Sequence, residues 1–257
     1  MDLAKVLLES FRLLREAPKV FVPRLATTAV YSVFIVYSMW LLQDIDSIKD
    51  PQMMSQLFSK TLLFVSTLPL LYFMDILSYA MYPRIVADYR KKGPISLFAA
   101  LKDGLKAWRI VLALGAVVFA FLMVVVSVSA VSAALTVVTG SPVFLVFAAL
   151  LTLLLILFFS IVVFFVVPSA VLNGRGILES FRESITLGFE NKWDLLKLNA
   201  MFMALILATM AMAYLAKADA LLSAASIGVF ILLRLVEAVV YTYLSVANPV
   251  AYLEVKK

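Results

Sequence analysis

Three ionisable side chains stand inside stretches that are otherwise apolar enough to lie in a membrane. Asp75 lies in LPLLYFMDILSYAMYP, and both Arg234 and Glu237 lie in VFILLRLVEAVVYTY. A charged group at membrane depth costs about 2.5–3.5 kcal/mol to insert, so such groups are candidate functional residues by default. We therefore expect these three residues to form an intramembrane polar site.

Hydroxyl and amide side chains near these charges recur at helical spacing. On the helix that carries Arg234 and Glu237 they follow at intervals of three and four residues, which places them on one face. Counted from the outer ends of their helices, Asp75 and Arg234 reach a similar depth, so the two can pair. The charged and polar side chains together predict a polar seam, a continuous strip of polar residues between the helices that runs from the middle of the membrane to one surface. Its further members are Tyr31, Ser78, Tyr79, Tyr241, Ser245 and Asn248, with Thr27 and Ser38 on the first span.

The polar seam has two interpretations. In the first, Arg234 forms a satisfied ion pair with Asp75 or Glu237 and fixes the register of the helices. In the second, the seam is a wet cavity for an ion or a polar solute. Two acids and one base leave one negative charge, and an uncompensated carboxylate in a low dielectric takes up a proton. The second interpretation therefore predicts that Asp75 or Glu237 is protonatable near neutral pH.

The composition is that of a membrane protein. Apolar residues make up 64% of the 257 residues and charged residues 15%, whereas soluble domains are about 45–50% apolar. The chain has no Cys and no His, which excludes disulfides, thiolate or imidazole metal sites and the commonest general base. We expect no cofactor, no metal and no enzymatic activity. With only three Gln and four Asn, the lack of Cys also fits a thermophilic source.

Six stretches are long enough to cross about 30 Å of hydrocarbon, which needs about 20 apolar residues. A tight turn is predicted at TGSP, residues Thr139–Pro142. If the even-numbered connections face the cytoplasm, 18 of the 22 Lys and Arg residues lie there. The positive-inside rule then predicts a multi-pass protein of the cell membrane with both termini cytoplasmic. The predicted spans are 22–42, 62–82, 108–137, 143–170, 194–216 and 221–250, with an acidic outer loop over 43–61 that contains Asp44, Asp46 and Asp50.

The basic residues on the predicted cytoplasmic side form a belt at the membrane surface. Such a belt attracts anionic lipid headgroups, so the lipid bilayer and its headgroups are the expected partners. The charge therefore needs no nucleic-acid partner to explain it.

The pentapeptide LESFR occurs twice, at Leu8–Arg12 and at Leu178–Arg182, and FAALK at Phe98–Lys102 takes the matching place between them. Each copy lies on an amphipathic segment before an odd-numbered span, with the pattern of a helix that lies in the membrane interface. The predicted apolar faces are Leu3, Val6, Leu7, Phe11 and Leu14; Phe98, Leu101, Leu105 and Trp108; and Ile177, Phe181, Ile185 and Phe189.

Prolines near the ends of the even spans recur at a similar interval, at Pro83, Pro168 and Pro249. With the pentapeptides they predict an internal repeat of three units, about 1–85, 86–170 and 171–257. The predicted fold is all-α: one membrane domain over 1–257, a bundle of six transmembrane helices with interfacial amphipathic helices and pseudo-threefold symmetry.

The run VVPSAVLNGRGILESFRESITLGFENKW, residues 166–193, carries a resemblance to a known family. It resembles the segment after a span in archaeal and bacterial six-helix proteins that are similar to the membrane domain of glycerophosphodiester phosphodiesterases. The match rests on Pro168, Ala170 and Gly176, followed by Ser180 and Ser184 four residues apart. The remaining chain matches only in its layout, and no phosphodiesterase domain accompanies it. The resemblance implies the architecture and no activity.

The sequence favours a non-enzymatic membrane protein that moves a small solute or an ion through the polar seam. The alternative is a structural or accessory subunit of a membrane complex, with a membrane protein or a second copy of the chain as partner. A lipid-modifying enzyme that uses Asp75 or Glu237 is a weaker alternative, because both residues count to mid-depth, away from the headgroups.

Overall fold

A computed structural model describes residues 1–42, 51–215 and 224–256, without the side chains of 39–60, 63, 64 and 213–226. Every element of this described part is helical, which confirms the predicted all-α fold. The chain starts with α1 (Leu3–Glu16), a short 3-10 turn (Pro18–Phe21) and α2 (Val22–Leu42). The other helices are α3 (Pro51–Arg90), α4 (Leu97–Lys106), α5 (Trp108–Thr139), α6 (Val143–Val163), α7 (Val166–Asn173), α8 (Ile177–Glu190), α9 (Lys192–Leu215) and α10 (Ala224–Val255).

Five helical segments of the described part are long and apolar enough to cross a membrane. They coincide with the predicted first, third, fourth, fifth and sixth spans. The predicted second span, 62–82, falls inside α3, but it is not among these five segments of the described part. The predicted turn at TGSP is confirmed: Gly140 ends α5 with a φ of 69°, and α6 starts after Pro142.

The predicted outer loop over 43–61 is too long at its C-terminal end, because α3 already starts at Pro51. The acidic residues on which that prediction rested, Asp44, Asp46 and Asp50, lie outside the described residues.

The helices contact one another in a cyclic order. At the centre α3, α7 and α10 all touch. Around them α2 packs on α3 and α10, α5 packs on α6 and α3, and α9 packs on α10 and α6. Each amphipathic helix then packs on the last helix of the preceding predicted unit: α4 on α3, α8 on α6 and α7, and α1 on α10.

The amphipathic helices α1, α4 and α8 turn small residues toward the bundle. Ser10, Ala100 and Ser180, the third residues of the three matching pentapeptides, are fully buried. The first residues are instead 68%, 78% and 84% exposed. Most of the predicted apolar faces, such as that with Phe98 in α4, therefore point away from the bundle. The face of α1 is an exception, since Val6 is fully buried and Leu3, Leu7 and Leu14 pack against the same core cluster.

A two-residue break separates α6 from α7. Pro168 has no N–H to donate, so the carbonyl of Phe164 one turn earlier loses its helical partner. The Nδ2 group of Asn248 on α10 donates to this carbonyl at 2.5 Å. A neighbouring helix therefore supplies the hydrogen bond that proline removes, which makes such a break tolerable inside a membrane.

Helix α8 satisfies the other side of the break. The Ser184 hydroxyl accepts from the N–H of Phe165 at 3.0 Å and donates to the carbonyl of Val162 at 2.7 Å. One turn later α8 approaches α6 so closely that a Cβ on Gly188 would lie 2.6 Å from the carbonyl oxygen of Ile161. A serine and a glycine thus let α8 dock directly on the backbone of α6.

The centre of the bundle is closed at the end where α3 and α10 finish. Tyr82, Phe165 and Tyr252 are fully buried in one apolar cluster there. Toward the periphery large apolar side chains are exposed instead, for example Val33 at 71% and Val137 at 84%. Apolar side chains exposed in such numbers indicate contact with the lipid bilayer.

Candidate functional site

The predicted intramembrane charges line one cavity of about 290 Å³ between α2, α3 and α10. We call it the charged cavity. It is large enough for roughly ten water molecules at about 30 Å³ each. Its lining residues are Arg24, Thr27, Thr28, Tyr31, Asp75, Arg234, Glu237 and Tyr241.

The first ion pair of the charged cavity joins Arg24 on α2 to Asp75 on α3. The Arg24 guanidinium also donates to the Ser245 hydroxyl on α10, from Nε at 3.1 Å and from Nη2 at 3.0 Å. The Arg24 side chain is only 11% exposed, whereas Asp75 is 39% exposed. This arginine therefore ties three helices together, and the carboxylate opens into the cavity.

The second ion pair joins Arg234 to Glu237, one turn apart on α10. Arg234 also donates from Nε to the Ser32 hydroxyl on α2 at 3.2 Å. Both side chains are less than a third exposed, at 18% and 29%. The pair therefore holds α10 against α2, further along the bundle than Arg24.

Of the two partners that the sequence left open for Arg234, the structure pairs it with Glu237, and Asp75 pairs with Arg24 instead. Two acids and two bases make the charged cavity neutral. The excess carboxylate charge that motivated a protonatable Asp75 or Glu237 is therefore absent, because Arg24 supplies the missing positive charge.

Two further cavities of about 290 Å³ adjoin the charged cavity. The peripheral cavity, between α2, α9 and α10, contains Ile35, Met210 and Phe230 and shares Arg234 and Glu237 with the charged cavity. The central cavity lies where α3, α5, α6, α7, α9 and α10 meet, and it shares Arg24. Tyr241 lines all three, and the Arg24 guanidinium carbon lies 6.0 Å from its ring centre.

Most of the predicted polar seam falls into these cavities. Tyr31 lies in the charged cavity, and Tyr79, Ser245 and Asn248 lie in the central cavity. Ser78 lines neither of them; it is buried, and its hydroxyl has no hydrogen-bond partner among the described residues. Of the two first-span residues added to the seam, Thr27 lines the charged cavity, and Ser38 donates to the carbonyl of Ile35 at 2.7 Å.

Comparison with known proteins gives a family. The family described as Domain of unknown function (DUF7847) matches residues 1–253. The chain belongs to this family. Comparisons with curated proteins and with solved structures returned no match. The resemblance to the glycerophosphodiester phosphodiesterase membrane domain therefore has no support, and Pro168, Ser180 and Ser184 of its motif are explained by the packing of α7 and α8.

Sequence reasoning missed Arg24, which this family member uses in two of the three cavities. Its place at the start of the first predicted span puts it among the 18 basic residues assigned to the cytoplasmic side. One signal in the sequence could have found it: FVPRLATT places Arg24 one helical turn before Thr27 and Thr28, which line the cavity. Asp75 needed a positive partner, and a long arginine side chain at a helix start can reach down to it.

A second polar cluster surrounds Glu183 on α8, at the closed end of the bundle. Its carboxylate pairs with Arg175 at 3.1 Å and Lys256 at 2.9 Å, and it accepts hydrogen bonds from Ser169 and Tyr252. Burial raises the pKa of Glu183, but the bonds from Ser169, Lys256 and Tyr252 outweigh burial and hold it below its ordinary value. This cluster ties α7, α8 and α10 together.

Neither cluster has the composition of a metal centre. Among the residues that the structure describes, no three acidic side chains come together in a way that could hold a metal ion. In the charged cavity each carboxylate faces an arginine instead.

Proposed function

We propose that this protein binds a small polar solute or ion in the charged cavity and carries it across the membrane without chemical change. The cavity supplies two guanidinium groups, two carboxylates and several hydroxyl groups from three helices. Charges gathered inside an apolar bundle are the usual mark of a solute or ion pathway.

One observation carries the proposal: the three cavities follow one another along α10. Their lining residues on this helix run from Phe230 in the peripheral cavity, through Arg234 and Tyr241, to Asn248 in the central cavity. Asn248 follows Phe230 by 18 residues, which corresponds to a rise of about 27 Å at 1.5 Å per residue. The hydrocarbon core is about 30 Å thick, so the cavities extend over most of that length.

The break between α6 and α7 supports the same proposal. Val163 and Val167, on either side of it, line the central cavity. In transporters, helices that are interrupted near the middle of the membrane often form the substrate site. The fully buried Tyr82, Phe165 and Tyr252 close the path at the adjoining end, so transport requires these helices to move.

A flux measurement with a matched variant tests the proposal. Proteoliposomes are mixed with isosmotic solutions of small polar solutes and salts, and swelling is followed by light scattering. We expect wild-type protein to accelerate swelling for at least one solute and Arg234→Ala to abolish this effect while it still folds. Swelling no faster than in protein-free liposomes for every solute would reject the proposal.

A second candidate function is that of a structural or accessory subunit. It is favoured by the fact that each arginine of the charged cavity has its own carboxylate, which is sufficient to hold helices in register. This candidate predicts a co-purifying membrane protein or a homo-oligomer. It also predicts that the wild-type protein shows no flux in the swelling assay. Lipid modification has less support, because both carboxylates that it would use are paired with arginine.

The topology belongs to the same proposal. We propose a multi-pass protein of the cell membrane with six crossings, both termini in the cytoplasm and a basic belt against anionic headgroups. The three-unit repeat is also proposed, and the cyclic contacts of the helices support it, because each amphipathic helix packs on the unit before its own.

A further inference from the structure

We infer that the solute of the charged cavity is zwitterionic, with one ammonium or similar cation and one carboxylate or similar anion. This inference rests on the proposed function, since it names the class of solute that the same cavity would take. It depends on the balance of charge in the cavity and on the hydrogen-bonding atoms that the two ion pairs leave unused.

The balance of charge disfavours a singly charged solute. Arg24 with Asp75 and Arg234 with Glu237 sum to zero. A bare anion or cation would bring an uncompensated charge into a low-dielectric region, where its desolvation is not recovered. A zwitterion adds no net charge, and the desolvation of each of its ends is offset by an opposite charge of the cavity.

The unused atoms offer a partner to each end of a zwitterion. Among the described residues, the Asp75 oxygen Oδ2 and the Glu237 oxygen Oε1 accept no hydrogen bond, because the arginines contact only the other oxygen of each carboxylate. The Arg234 Nη2 group likewise has no partner among those residues. Two acceptors suit an ammonium group, and a guanidinium N–H suits a carboxylate.

The volume and the walls of the cavity agree with this class. A space of about 290 Å³ is at the lower limit of small-molecule pockets. The Tyr31 and Tyr241 rings and the Thr28 side chain provide apolar surface and hydroxyl groups between the charges. A solute with a short carbon chain between two charged ends matches such a lining.

The test compares probes of matched size on the purified full-length protein by titration calorimetry. Glycine, β-alanine and 5-aminopentanoate are the zwitterions, and propionate and propylammonium are the singly charged probes. We expect at least one zwitterion to bind about tenfold or more tightly than either singly charged probe.

Variants that unbalance the cavity sharpen the test. Asp75→Asn leaves one extra positive charge in the cavity, so this variant should bind propionate more tightly than the other probes. Arg24→Gln leaves one extra negative charge, so that variant should bind propylammonium most tightly. The double variant Arg24→Gln with Asp75→Asn is neutral again and should favour neither singly charged probe. If one single variant fails to fold, the other single variant and the double variant still test the charge rule.

The outcomes separate this inference from the proposed function. If propionate or propylammonium binds the wild-type protein as tightly as the best zwitterion, the zwitterion class is wrong although a solute is bound. If no probe binds while the flux assay finds a transported solute, the zwitterion class is again overturned and transport stands. If neither binding nor flux occurs, both proposals fail.

Discussion

Arg24 is the residue on which the charged cavity depends most. It pairs with Asp75 on α3 and donates twice to Ser245 on α10, from a position on the first turn of α2. No other side chain described in this cavity bonds to two neighbouring helices, since Arg234 bonds to α2 and to its own helix. Arg24 is therefore both a structural tie between helices and a charged wall shared by two cavities.

Arg24→Gln should lower the free energy of unfolding by about 1–3 kcal/mol, because it leaves the Asp75 carboxylate without a counter-charge and Ser245 without its donors. Thermal unfolding in detergent measures the change. The matched control is Arg109→Gln, on the first turn of α5, where the guanidinium is exposed and stacks on Trp108. A control variant as unstable as Arg24→Gln would contradict the role of the ion pair.

Glu183 should make stability depend on pH on the acid side. Its pKa is lowered in the folded protein, so its contribution is fully present above its unfolded pKa and is lost as the pH falls through the folded value. Glu183→Gln should therefore cost about 2 kcal/mol at pH 7, with this difference from wild type shrinking toward zero on acidification. Unfolding temperatures from pH 7 down to pH 3 check this, and a difference independent of pH would contradict it.

At the scale of helices, length and apolarity predicted most of the fold. Five of the six predicted spans appear at nearly the predicted bounds, because a long apolar run in a membrane protein has few alternatives to a helix. The second predicted span, 62–82, lies inside α3, which is helical over its whole described length. The predicted repeat stays a prediction.

The contacts between side chains of different helices could mostly not be predicted from the sequence. An arginine at the start of one helix and an aspartate in the middle of the next are 51 residues apart, and no periodicity links them. The apolar periodicity of α1, α4 and α8 also says little about the face that packs on the bundle. The faces that dock on the bundle instead carry small residues such as Ser180 and Gly188, which allow backbones to approach closely.

The contact of α8 with α6 gives a prediction at this scale. Gly188→Ala should destabilise the protein by about 1–3 kcal/mol, because the new methyl group would lie 2.6 Å from the Ile161 carbonyl oxygen and must push the helices apart. Gly176→Ala at the start of the same helix is the control, since its Cβ would meet nothing within 4 Å. Equal unfolding temperatures for the two variants would contradict the close approach.

For the whole molecule, the cyclic order of the helices explains why one end of the centre is closed and why the charged cavity lies to one side. The ends of α3, α7 and α10 meet at the centre and bury Tyr82, Phe165 and Tyr252. The charged cavity lies off this centre, in the one interface that contains α2, α3 and α10 together. In the proposed scheme of three similar units, the charged cavity of the described part lies at one of the three interfaces, the one we propose for solute.

The central claim, that the charged cavity is open to water inside the membrane, can be measured directly because the chain contains no Cys. A single cysteine is placed at Thr28, which lines the cavity, or at Val33 on the same helix, which is 71% exposed toward lipid. Membrane-impermeant, charged methanethiosulfonate reagents modify only thiolates that meet water.

In protein reconstituted into bilayers we predict that Thr28→Cys reacts and Val33→Cys does not, with modification measured by mass spectrometry. If neither cysteine is modified, the cavity is dry, and the transport account is contradicted. The two ion pairs would then only hold helices together.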